Sequence, residues 1–136
     1  MRQRPFKRLQ AKRPRAEAGG DFEIVDRVNG VLLVEAKALK GGALRDLSDR
    51  VRKQEKADGA IVASVDEGRP YLVVNFDESL VGRGLDATRL VRELGKHIGG
   101  GGGGRPTLAE AGGKNPDGVG DALAAGKQAV SDALES

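Results

Sequence analysis

The sequence has no cysteine and only one histidine, His97, among its 136 residues. The missing cysteines exclude disulfides and thiolate chemistry. One histidine cannot build a multi-histidine zinc site, and no serine stands in the Gly-x-Ser-x-Gly pattern of a nucleophile elbow. We therefore expect no catalytic centre, no bound metal and no cofactor in this chain.

Aromatic residues and long apolar runs are equally scarce. Aromatics make up 3% of the chain, which leaves little surface for stacking on nucleic-acid bases. Any contact with nucleic acid is therefore expected to be directed at the phosphate backbone. The longest apolar runs are four to six residues, too short for a transmembrane helix or a signal peptide. A cytoplasmic protein with no membrane contact is the expectation.

Positive charge is concentrated at the N-terminus. Residues 1–20 carry seven Arg or Lys against one Glu, a net of +6, which leaves −3 for the remaining 116 residues. Two prolines and little apolar periodicity predict a disordered tail over 1–20, followed by one domain over 21–136. The tail is either a solvated extension or an electrostatic arm for RNA phosphates. Its basic residues are Arg2, Arg4, Lys7, Arg8, Lys12, Arg13 and Arg15.

Hydrophobic periodicity predicts the elements of the domain. In chain order they are a short extended stretch around Ile24, an Asn29-Gly30 turn, a strand from Val31 to about Leu39, a helix over 41–59, strands over 60–65 and 71–76, a helix from Asp86 to Ile98, and a helix from about Gly118 to Leu134. The two central strands are apolar on both faces, which indicates an antiparallel pair buried between layers. The expected fold is α/β, a single layered domain with a small mixed sheet of three or four strands flanked by helices.

Six consecutive glycines, Gly99 to Gly104, separate the last two predicted helices. The run lacks the Gly-Lys-Ser/Thr of a P-loop and follows a helix rather than a strand, so neither ATP nor dinucleotide binding is supported. Glycine amides are unshielded by side chains and can curl around an anion, whereas a plain flexible linker needs no such role. Composition alone leaves a linker and an anion-binding loop equally plausible.

The residues that flank the run favour the second interpretation. The stretch "GGGGGGRPTLAEAGG", Gly99 to Gly113, resembles the signature Gly-Gly-Lys-Gly-Gly-Gly-Arg-Pro-Asp-Met-Ala-Gln-Ala-Gly-Gly near the C-terminus of alanyl-tRNA synthetases. Helices of the "TRLVRELGKHIG" and "LRDLSDRVRK" kind precede it in the same order, and the similarity covers about Val28 to Leu134. The resemblance is to the C-terminal, DHH-associated (C-Ala) domain of that family.

This resemblance implies a function and a site. The domain is expected to bind the outer corner of tRNA(Ala) and to assist aminoacylation and editing, whose catalytic centres lie in other domains of the synthetase. It further implies a truncated or free-standing copy, with tRNA(Ala), the remaining synthetase domains and a second copy of the chain as candidate partners. The expected nucleic-acid-binding residues are Lys96, His97, Gly99, Gly100, Gly101, Gly102, Gly103, Gly104, Arg105, Pro106 and Thr107.

The chain departs from the signature at four positions. The usual Lys is Gly101 and the usual Asp is Thr107, while Leu108 and Glu110 replace Met and Gln. A lost lysine and a gained carboxylate are expected to weaken attraction to phosphate and to leave more of the binding to Arg105 and the tail. Because a loop is not part of the core, valine at Gly102 and Gly103 is expected to leave folding nearly intact while blocking the approach of RNA.

Two alternatives remain. The first is the substrate-binding half of a DHH phosphoesterase, which predicts a Gly-Gly-His-x-x-Ala motif and an upstream Asp-His-His, neither of which is present. The second is a dimerisation module without RNA binding, built from the sheet and the last helix. Binding of tRNA, compared with a size-exclusion mass measurement, separates the dimerisation module from the leading hypothesis.

Overall fold

A computed structural model describes residues 22–135. The elements, in chain order, are β1 (Phe22–Val28), β2 (Val31–Lys37), α1 (Gly41–Glu55), β3 (Gly59–Asp66), β4 (Arg69–Phe76), α2 (Glu78–Val81), α3 (Ala87–His97), β5 (Gly101–Arg105), β6 (Leu108–Gly112), a 3-10 turn (Pro116–Gly118) and α4 (Val119–Glu135). The basic tail over 1–20 lies outside the described residues, and so does the domain boundary predicted beside it.

The strands form one six-stranded mixed sheet in the order β1-β2-β3-β4-β6-β5. Strands β2 and β3 are parallel, and every other neighbouring pair in the sheet is antiparallel. A parallel pair needs a long crossover connection, which α1 supplies here. The α/β class with a mixed sheet is therefore confirmed.

Two tight hairpins set the register of the first four strands. Asn29 and Gly30 have φ angles of 48° and 85°, and Glu67 and Gly68 have φ angles of 52° and 78°. Positive φ at both central residues is the geometry of a two-residue type I′ hairpin turn. The turn predicted at Asn29-Gly30 and the antiparallel pairing of β3 with β4 are both confirmed.

The side chains of alternate strand residues belong to two separate hydrophobic cores, because successive side chains point to opposite faces of a sheet. On the face covered by α3 and α4, Leu33, Ile61 and Val74 belong to the larger apolar cluster. On the face covered by α1, Leu32 and Val62 belong to a smaller cluster. The central strands are therefore buried on both sides, as their unbroken apolar runs predict.

The last helix lies very close to the sheet at Gly126. A methyl group added there would lie 2.9 Å from Ile61 Cδ1 and 3.4 Å from Leu94 Cδ1. A side chain there would displace the end of Ile61, so the close packing predicted for Gly126 is confirmed.

The structure corrects the prediction for the glycine run. The segment expected to be a loop forms strand β5 at one edge of the sheet, and the following residues form its partner β6. The sheet thus has six strands rather than three or four, and the short helix α2 is a further addition. Pairing with β6 satisfies backbone groups that an isolated glycine segment would leave to water.

Candidate nucleic-acid interface

Helix α3 directly precedes the edge strand β5. Asp86 caps its N-terminus, since its Oδ1 accepts hydrogen bonds from the amides of Thr88 at 2.9 Å and Arg89 at 3.2 Å. At the other end, Gly99 adopts a φ of +72°, and the amide of Gly100 donates to the carbonyl of Gly95 at 2.9 Å. This glycine turn closes the helix and directs the chain into β5.

Alternate glycines of the run have different surroundings. A Cβ added at Gly100, Gly102 or Gly104 would overlap backbone atoms of β6 or of Gly113, and at Gly102 it would lie 2.6 Å from Ala111 Cα. A Cβ added at Gly101 or Gly103 would meet no atom within 4 Å. Glycine is thus sterically required at every second position, where two backbones approach closely. The expectation that valine is tolerated at Gly102 is therefore wrong, whereas Gly103 has room for it.

The turn between β5 and β6 is fastened to the domain by its backbone. The carbonyl of Pro106 accepts a hydrogen bond from the amide of Ala87 at 2.8 Å, and the carbonyl of Thr107 accepts one from Phe76 at 2.8 Å. Ala109 is buried and Leu108 packs against the smaller cluster. The Arg105 side chain, at the start of this turn, is consequently exposed on a firmly held backbone.

Lys96 and His97 lie at the opposite end of the strand. Both are exposed at the C-terminal end of α3, next to the glycine turn. Arg105 follows Gly101 by four positions, a distance of about 13 Å along a strand. The expected site residues therefore form two groups joined by a glycine strand, and not one compact loop.

Lys114 is a further cation that the resemblance did not single out. Its amide donates to the carbonyl of Ile98 at 2.9 Å, which holds the exposed residue beside the end of α3. None of the ion pairs found among residues 22–135 involves Lys96, Arg105 or Lys114. The only signal for Lys114 in the sequence is its position directly after the final glycine of the signature.

The carboxylate gained at Glu110 does not stand alone. Arg45 of α1 forms an ion pair with it on the α1 face of the sheet. The expected loss of attraction to phosphate is thus offset locally, because the extra negative charge has a partner of opposite sign.

A polar cluster joins α1 to the end of β4. Arg52 donates to Asn75 Oδ1 at 2.8 Å, and its Nη2 lies 3.4 Å from Asp77 Oδ1. A hydrogen bond from the Ser79 amide and the nearby Arg52 guanidinium hold the pKa of Asp77 below its ordinary value. This cluster closes the α1 face at the end of the sheet where Arg105 emerges.

Residues 22–135 contain no group of three or more His, Cys, Asp or Glu side chains arranged to hold a metal ion. Within the same residues, no helix is both long and apolar enough to cross a membrane.

The sheet, its two helical layers and the glycine hairpin define a class of small α/β domain. Residues 28–132 match the DHHA1 domain family. Because this match covers most of the chain, the chain belongs to the DHHA1 family.

Alanine–tRNA ligases are among the proteins to which the chain is similar. The chain is 36% identical over 124 residues to the enzyme of Lactobacillus gasseri and 38% identical over 128 residues to that of Latilactobacillus sakei, covering 90% and 93% of this chain. It spans only 14% and 15% of the length of those ligases. The resemblance drawn from the glycine signature is confirmed.

Two solved structures share the fold. The C-Ala domain of Aquifex aeolicus alanyl-tRNA synthetase is 30% identical with a TM-score of 0.67, and the match covers 78% of this chain and 96% of that domain. A DHH domain described as a member of the s1p family of ribosomal proteins is 16% identical with a TM-score of 0.50, over 72% of this chain and 26% of the other. The second likeness concerns the fold alone.

Proposed function

We propose that this domain binds tRNA(Ala) through the edge strand β5 and the cations at its two ends. The relatives from Lactobacillus gasseri and Latilactobacillus sakei are named alanine–tRNA ligases, and this name indicates the class of RNA. In this proposal the chain holds the tRNA while catalytic domains of a ligase, outside this sequence, carry out aminoacylation and editing. The remaining ligase domains are then its protein partners, and the cytoplasm is its location.

One observation carries the proposal: a side-chain-free sheet edge lies between cations that have no ion-pair partner among residues 22–135. An edge strand presents backbone amides and carbonyls that are not used by the sheet. A Cβ added at Gly101 or Gly103 would have no atom within 4 Å. An RNA backbone can therefore come close to the free amides and carbonyls of β5.

The cations at the two ends add charge without the cost of breaking an existing ion pair. Arg105 lies at one end, and Lys96 and Lys114, with His97 beside them, lie at the other, about 13 Å away along the strand. An RNA strand carries one phosphate charge per nucleotide, so this distance lets the two groups contact different phosphates of one strand. Pro106 and Thr107 keep the Arg105 end fixed through their carbonyls.

A titration of labelled tRNA(Ala) transcript with the full chain tests the proposal. We expect saturable binding that weakens as salt rises, because phosphate contacts release counterions. A size-exclusion mass measurement on the same preparation distinguishes the alternative of a dimerisation module. A stable dimer that does not bind tRNA at low salt would refute the proposed function.

A further inference from the structure

A groove lies on the α1 face of the sheet, beside the glycine strand and apart from the cations already described. It has a volume of about 440 Å³ and is lined by Lys40, Gly41, Tyr71, Gly101, Glu110 and Gly112. Ligand-binding pockets in proteins commonly enclose about 300–1,000 Å³. The groove is therefore large enough for a small ligand or for part of a larger one.

The floor of the groove is a row of three residues that runs across three strands. Pairing across β4, β6 and β5 places Tyr71, Gly112 and Gly101 in one row. The Tyr71 ring lies against Gly112, since a methyl group added at Gly112 would be 3.4 Å from Tyr71 Cδ1. At Gly101 the row continues into open space. An aromatic ring and two bare glycines together form a surface suited to a planar ligand.

The polar groups of the groove suit a nucleotide. Glu110 offers a carboxylate acceptor that Arg45 holds by an ion pair. A carboxylate accepts hydrogen bonds from base amino and imino groups, such as the exocyclic amine of cytosine. The Lys40 side chain is 59% exposed and its Nζ lies 3.7 Å from Asp66 Oδ2, a loose pair from which it can reach a phosphate.

We propose that this groove receives one exposed base of the bound RNA, which stacks on Tyr71 and donates a hydrogen bond to Glu110. The proposal rests on the proposed function, because the groove adjoins β5 and shares Gly101 with it. Unstacked bases are the usual targets of proteins that recognise RNA, and aromatic side chains are their usual stacking partners. Tyr71 is the only tyrosine of a chain with few aromatics, so the contact adds a base to an otherwise backbone-directed interface.

Substitution of Tyr71 tests the stacking contact. Tyr71→Leu removes the ring but keeps an apolar side chain, and we expect tRNA affinity to fall about tenfold. Tyr71→Phe keeps the ring and is the matched control, with affinity close to that of the unaltered chain. If Tyr71→Leu proves unstable in thermal melts, Tyr71→Ile replaces it, because isoleucine also lacks the ring, favours strands and leaves the glycine edge unaltered. Equal losses for the Phe and Leu variants would refute stacking.

Tyrosine fluorescence gives a second, direct readout. The chain has one tyrosine and no tryptophan, so its emission reports on the groove alone. We expect saturating tRNA(Ala) to quench this emission, and the Arg105→Ala variant to reach the same quench at a higher tRNA concentration. Binding with unquenched emission and with unchanged affinity in Tyr71→Leu would refute the groove while leaving the proposed function intact. No binding by the unaltered chain would refute both.

Discussion

Neighbouring glycines of the edge strand differ in the space around the position of a side chain. Gly102 and Gly104 lie so close to the backbone of β6 that any side chain would overlap it. Gly101 and Gly103 have open space where a side chain would be. The uniform run is thus two interleaved patterns with the two-residue period of a strand. Packing explains one pattern, and we propose that RNA binding explains the other.

The two ends of the α1 face show a related contrast. At the Asn75 end, hydrogen bonds from Arg52 tie α1 to β4 and close the surface. At the Gly101 end, strand β5 has no side chains and a groove remains beside it. The domain therefore uses side chains where it needs stability and omits them where we propose that RNA approaches.

The largest expected effect separates the two glycine patterns by stability. Gly102→Val places a side chain on the backbone of Glu110 and Ala111, and we expect a loss of about 3 kcal/mol in the free energy of unfolding. That corresponds to a fall of about 12 °C in Tm for a domain of this size. Gly103→Val is the matched control, and its Tm should stay the same or rise slightly, because valine favours strands and restricts the unfolded chain. Equal melting temperatures for the two variants would show that packing does not distinguish the two sets of glycines.

The next effect compares the edge strand with the basic tail. If residues 2–15 act as an arm, their deletion removes up to about seven phosphate contacts and flattens the slope of log affinity against log salt by several units, at about 0.7 to 0.9 per contact. The measurement is a tRNA titration at four salt concentrations. An unchanged slope would leave the edge strand as the main electrostatic contact.

A smaller effect concerns the cation at the hairpin turn. Arg105→Ala removes one charge-assisted contact, which for an exposed side chain we expect to weaken tRNA binding by about 1 kcal/mol, or about fivefold. Arg27→Ala, on the β1 edge at the far side of the sheet, makes the same charge change and is the control. Similar losses in both variants would indicate a nonspecific effect of net charge.

The smallest effect tests the closed end of the α1 face. The pKa of Asp77 is lowered in the folded state, so its contribution to stability is present above its unfolded pKa of about 3.9 and is lost as pH falls through the folded value. Asp77→Asn keeps an N-cap but cannot titrate. Thermal melts from neutral to acidic pH should show a slightly shallower fall in Tm for this variant. Parallel curves would show that Asp77 adds nothing to the pH dependence.

Much of the fold could be predicted because its signals are local. The Asn29-Gly30 turn, the cap at Asp86 and the apolar strands over 60–65 and 71–76 each carry their structure in neighbouring residues. The β5–β6 hairpin does not, because glycine has low strand propensity and no hydrophobic periodicity. Its strand forms through pairing with β6 and through close packing of Gly95 of α3 against the Gly100 carbonyl, 3.1 Å from an added Cβ.

The sequence pointed to part of the candidate site but not to its arrangement. The signature pointed to Arg105 and to the glycines, yet the separation of Arg105 from Lys96 follows from the extended path of β5. Lys114 and Tyr71 enter only through contacts with residues distant in sequence, Ile98 and Gly112. Register across three strands decides these neighbours, and no local pattern encodes that register.

Binding of tRNA(Ala) by Gly103→Val tests the central claim most directly. The variant fills the open side of β5 and leaves its packed side untouched, so affinity and stability can be read separately on one protein. The account predicts an unchanged Tm with affinity reduced about tenfold, equivalent to about 1.4 kcal/mol. An unchanged Tm with unchanged affinity would contradict it and would mean that the open glycines have no part in RNA binding.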